Sequence, residues 1–183
     1  MIDSQQAHSA LADIADIAQR VRQSRFYQHA STLLMLWGAV TFVGYVIAFA
    51  TPSRAGYAWI ALCVAGVVGS VAIGAASRRR SGVNTFNARA FVAFLLFAAF
   101  GLVWSVAVGH FNPRQLGAFW ASYFMLAYSI AGLWLGSAFV AIGLGVTALT
   151  LTGYFFVGPW FELWMAVVYG GGLTLGGFWM RRN

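Results

Sequence analysis

Polar residues interrupt this chain at only a few places, and six long apolar stretches run between the interruptions. They cover about 32–50, 55–76, 89–109, 115–135, 137–157 and 159–180. An α-helix needs about 20 such residues to cross the hydrocarbon core of a bilayer, and each stretch has that length. The breaks are Thr51-Pro52-Ser53-Arg54, the segment 77–87, the segment 110–114, Gly136 and its neighbours, and Gly158-Pro159. The last two are so short that the helices they join must lie antiparallel and side by side. A membrane β-barrel would show segments of about ten residues with alternating polarity. These stretches are apolar throughout and twice as long. The expected fold is all-α: a polytopic bundle of six transmembrane helices. The span count depends on Gly136. If 115–157 were one long helix, the C-terminus would emerge on the opposite side.

The first 28 residues follow a different rule. Ala7, Leu11, Ile14, Ala18 and Val21 recur at steps of four and three, which makes one apolar stripe on a helix. Asp3 with Gln6 resembles a capping box. Asp13 and Asp16 come early and Arg20, Arg22 and Arg25 late, an order that complements the helix dipole. The chain therefore divides into an N-terminal amphipathic helix, residues 1–30, and a six-helix membrane domain, residues 31–183. The helix suits the membrane surface or a second helix, in a partner protein or in another copy of the chain. No apolar signal-peptide core precedes the first span, so that span is expected to serve as its own insertion signal.

Composition agrees with the pattern. Of 183 residues, 61% are hydrophobic and 8% charged, against about a quarter charged in a soluble domain. The net charge of +7 would raise nucleic acid as a partner of a soluble protein. Here the cations sit at the ends of apolar stretches, so the lipid bilayer is the expected partner and nucleic acid is not. Basic residues near span ends favour the cytoplasm. An inner (plasma) membrane location with both termini cytoplasmic puts Arg20, Arg22, Arg25, Arg78, Arg79, Arg80, Arg89, Arg181 and Arg182 inside. Only Arg54 and Arg114 then lie outside.

Candidate chemistry is sparse. A charge in mid-span usually marks function, because a lone ion there costs roughly 2.5 kcal/mol or more. None of the six stretches holds one in mid-span; Arg89 and Glu162 lie at span ends. Cys63 and the methionines are scattered, and no metal or cofactor motif is present. The best polar set is Arg54, His110, Asn112, Arg114 and Glu162, drawn from three loops expected on the outer face. It reads either as a ligand site or gate, or as ordinary polar residues at headgroup level. Arg78, Arg79 and Arg80 read as a topology signal and as lipid-headgroup contacts. Gly132 with Gly136, and Gly172 with Gly176, have the four-residue spacing that lets helices approach closely in lipid. They serve packing within the bundle or, as a lesser reading, a homo-oligomer seam.

Two segments carry a resemblance. The stretch IADIAQRVRQSRF, 14–26, leading into Trp37-Gly38, and the tail VVYGGGLTLGGFWMRRN, 167–183, resemble the opening and closing helices of small bacterial six-span inner-membrane proteins of uncharacterised function. The tail of that group often has a His where this chain has Thr174. The resemblance implies the six-span fold and company with winged-helix regulators, and it brings no activity. Three functions remain from sequence. The first is a non-enzymatic sensory, regulatory or accessory subunit using residues 1–30 for partner contact. The second is a small channel or transporter for a neutral or weakly polar solute. The third is an outer-face enzyme working through His110 and Glu162.

Overall fold

The computed structural model describes residues 28–81 and 88–182; the amphipathic helix expected in the first 28 residues lies almost wholly outside them. Six helices are long and apolar enough to cross a membrane: α1 (Gln28–Ala50), α2 (Pro52–Arg79), α3 (Phe91–Val108), α4 (Pro113–Trp134), α5 (Ser137–Phe156) and α6 (Gly158–Arg182). No strand occurs among the described residues. The chain is built as a multi-pass membrane protein, a bundle of six helices.

The turns show why the helices stop where they do. Gly136 adopts φ 133° and ψ 154°, a conformation that costs glycine little and side-chain-bearing residues much. One residue thus breaks α4 from α5, and the two run antiparallel. Asn112 opens α4 with a capping box: its side chain accepts from the Gln115 amide at 2.9 Å, and the Gln115 side chain accepts from the Asn112 amide at 3.0 Å. Pro113 follows at the first helical position, where a missing N–H does no harm. Pro52 and Pro159 open α2 and α6 in the same way, each through a short 3₁₀ turn.

Among the described residues, two helices contain π turns. The end of α3 widens over Val103–Val108, where the Gly109 amide reaches back to the Trp104 carbonyl at 2.9 Å. The middle of α6 widens over Ala166–Gly171.

The core lies between α1, α4, α5 and α6. Leu34, Tyr45, Met125, Phe139, Val146, Phe161, Met165, Tyr169 and Leu173 are all buried there. Of an apolar 18-residue stretch of α6, 44% is buried, against 6% for α2, so α6 is central and α2 is peripheral. The α2 helix leans on α1, with Trp37 and Leu36 packed over Gly66 and Gly69. The Trp37 indole donates to Ser70 Oγ at 3.2 Å. The α3 helix leans on α4: Phe97 and Tyr123 stack at 4.0 Å, and the Tyr123 hydroxyl donates to the Phe97 carbonyl at 3.1 Å. Near the termini, Ser31 Oγ of α1 donates to the Gly177 carbonyl of α6 at 2.7 Å. The start of α1 and the end of α6 therefore share one end of the bundle.

Candidate functional site

The polar set expected at the loop end opposite the termini comes from three turns of the bundle. Arg54 and His110 are both exposed, on the α1–α2 and α3–α4 turns. His110 holds φ 44°, the left-handed region. The Asn112 side chain is occupied by the capping box. Glu162 lies half-buried in the first turn of the α-helical part of α6, where the dipole favours an anion. None of the hydrogen bonds of these residues joins one of the five to another.

Arg114 is the member with a built environment. Its guanidinium donates to the Tyr154 carbonyl at 2.6 Å and reaches the Gly153 carbonyl at 3.5 Å. These belong to the last turn of α5, where carbonyls run out of intrahelical donors; the Gly153 carbonyl also accepts from the Val157 amide at 3.1 Å. A cation there also meets the negative end of the helix dipole. The guanidinium carbon stands 5.4 Å from the Tyr154 ring centre and 5.1 Å from that of Phe161, within cation–π range of both. Arg114 thus fastens the start of α4 to the end of α5 and the start of α6. Its Nε is buried without a partner.

A second tie lies close by. The Tyr45 hydroxyl of α1 donates to the Gly117 carbonyl of α4 at 3.1 Å. The Tyr45 ring meets Trp59 of α2 edge-on at 5.1 Å and Tyr169 of α6 at 6.4 Å. One side chain links four helices.

Deeper in the bundle, two hydroxyls are buried without partners: Ser122 Oγ on α4 and Thr150 Oγ1 on α5. Gly143 of α5 lies against Met125 and Ser129 of α4, and Gly132 lies against Val140. That antiparallel register sets Thr150 level with Ser122. Among the described residues no group of three His, Cys, Asp or Glu is placed to hold a metal ion.

The glycines have distinct tasks. A Cβ on Gly132 would stand 2.7 Å from the Val140 amide nitrogen, and one on Gly176 would stand 2.7 Å from the Ile142 side chain. Gly172 looks onto Val146 at 3.2 Å. These positions face neighbours within the bundle. A comparably close approach joins α1 and α6. A Cβ on Gly38 would come within 2.8 Å of the Gly170 carbonyl oxygen, and one on Gly170 within 2.7 Å of the Phe42 backbone. Four-residue spacing did not mark Gly38, Gly170 or Gly177. At the terminal end, Arg78, Arg79, Arg181 and Arg182 are exposed; the Arg80 side chain lies outside the described residues.

Sequence reasoning also missed the role of Arg114 and the buried Thr150. The second was legible: Gly143, Val146, Thr150 and Gly153 repeat at helical spacing and form the buried face of α5. Comparison with known proteins finds no matching family, no matching characterised protein and no matching solved structure.

Proposed function

We propose that this chain is a non-enzymatic integral membrane subunit with a sensory, regulatory or accessory role, and that residues 1–30 supply the contact with a cytoplasmic protein. One observation carries the reading. The core between α1, α4, α5 and α6 is filled by side chains: Leu34, Met125, Phe161, Met165 and Thr150 are 0–1% exposed. A conduit through one copy would have to run where these atoms are. The packing favours a scaffold over a channel or transporter, and the charged N-terminal segment gives the scaffold something to present. The excess of Arg at the terminal end supports cytoplasmic termini in an inner membrane.

The test is a pull-down from solubilised membranes comparing the full chain with a form lacking residues 1–28. A partner set that depends on those residues is expected; identical sets would sink the reading. Solute flux through reconstituted liposomes above the level of empty ones would favour a channel formed between copies.

A further inference from the structure

Most of the surface of a membrane bundle is apolar, so exposure alone singles out nothing. Two grooves mark this surface, both bordered by α6, one shared with α1 and one with α5. Between α1 and α6 lies a groove of about 390 Å³ lined by Phe42, Val43, Gly170, Gly171, Thr174 and Phe178 among others. Gly170 and Gly171 form its floor, and a Cβ added at Gly171 would meet nothing within 4 Å. The Thr174 hydroxyl is turned back onto the Gly170 carbonyl at 2.8 Å, so the lining is hydrocarbon in character.

Its length limits what it can hold. From Gly170 to Phe178 the helix advances about 12 Å, close to the ~15 Å of one leaflet and well short of the ~30 Å that a spanning helix covers. At its terminal end the groove runs toward charge. Arg181 and Arg182 follow Phe178 by three and four residues, so helical periodicity continues the same face into them, and both are exposed. A guanidinium matches phosphate with paired donors, and the two cations offset the negative end of the α6 dipole that would otherwise repel an anion. We propose that this groove seats one acyl chain of an anionic glycerophospholipid from the leaflet on the terminal side, with its phosphate held by Arg181 and Arg182. Hydrocarbon fit and charge complementarity converge on that one occupant.

Native mass spectrometry of the full chain in detergent tests this, with phosphatidylglycerol titrated against phosphatidylcholine of identical chains. Two cations near an anionic headgroup predict that phosphatidylglycerol is retained at about 30-fold lower concentration. Arg181→Gln with Arg182→Gln should erase that preference. Gly171→Leu, whose Cβ meets nothing within 4 Å, should occupy the groove and lower retention of both lipids severalfold. Gly145→Leu, at an equally open position in the groove between α5 and α6, should change neither. Equal binding of the two lipids by the unaltered chain would overturn the proposal. So would a preference that survives loss of both arginines, or a Gly171→Leu protein indistinguishable from Gly145→Leu. If Gly171→Leu fails to fold, the arginine pair still decides.

Discussion

Gly170→Ala isolates the contact on which the bundle's centre depends. The new methyl carbon would lie 2.6 Å from Phe42 Cβ and 2.7 Å from Phe42 Cα and N. Carbon atoms in favourable contact stand about 3.5–4.0 Å apart. Two of the three obstructing atoms are backbone and the third is bonded to it, so no rotamer change relieves the clash, and α1 must move from α6 by roughly 1 Å. That shift also strains the Ser31–Gly177 hydrogen bond of 2.7 Å and the approach of Gly38 to the Gly170 carbonyl. Overpacking of this kind costs typically 1–3 kcal/mol. Against it stands the gain from replacing a helical glycine by alanine, roughly 0.5–1 kcal/mol. The clash wins, and the expected net loss is about 1–2 kcal/mol.

Gly74→Ala on α2 supplies the control. Nothing lies within 4 Å of a Cβ there, so only the gain remains. The two substitutions should move stability in opposite directions, which cancels any general effect of alanine on a membrane helix. The measurement is reversible unfolding in mixed micelles with increasing dodecyl sulfate, followed by circular dichroism. A Gly170→Ala protein as stable as the unaltered chain would mean that α1 and α6 are not in backbone contact. Gly38→Ala should behave like Gly170→Ala. The double variant should lose less than the two losses added, because one separation relieves both clashes.

Thr150→Val removes a buried hydroxyl without a partner while preserving shape, and it should stabilise the fold by about 1 kcal/mol in the same unfolding assay; destabilisation would show that the hydroxyl has a partner in the membrane. Arg114→Met keeps bulk but strips the Tyr154 carbonyl of its charged donor; a loss of roughly 1.5–3 kcal/mol is expected, with Arg114→Lys recovering part of it, and equal stability of all three proteins would refute the helix-end tie. With Cys63 replaced by Ser, single cysteines at Ser53 and Asn112 should both react with a membrane-impermeant maleimide in intact cells, whereas one at Arg182 should react only after lysis; the reverse pattern would invert the proposed orientation.

How much of this was written in the sequence depends on the kind of interaction. The spans were legible because hydropathy acts over 20 residues and needs no knowledge of neighbours. Gly136 was legible as a break because its flanks left no room for a longer loop, and its φ of 133° gives the physical reason. Helix α1 is already formed at Gln28, the first described residue and four before the expected start near residue 32, and α2 carries its helical geometry through the arginines to Ser81. Polar residues at span ends extend a helix into the headgroup layer, where hydropathy no longer reports it. The destination of Arg114 was not legible, because its acceptors are backbone carbonyls about forty residues away, and backbone atoms leave no mark in composition.

The glycines of α6 show where periodicity itself stops informing. Gly170 and Gly177 meet α1, Gly172 and Gly176 meet α5, and Gly171 floors a groove. A spacing of four cannot sort five such residues among three faces. The buried set of the same helix explains more. Phe161, Met165, Tyr169 and Leu173 follow at steps of four. On a straight α-helix each such step overshoots by about 40°, so three steps would carry the stripe roughly a third of the way round. The π turn at Ala166–Gly171 lies between the second and fourth of these residues. Its wider winding takes more residues per turn and so keeps the stripe pointed at the core. Phe161 is thereby buried against the Arg114 tie at one end while Leu173 and Met180 are buried at the other. The same turn presents Gly170 to α1 with Gly171 beside it at the groove. A regular helix through the same residues would rotate one half of α6 away from its neighbours, so the irregular turn is part of what lets one glycine-rich helix serve as the centre of the bundle.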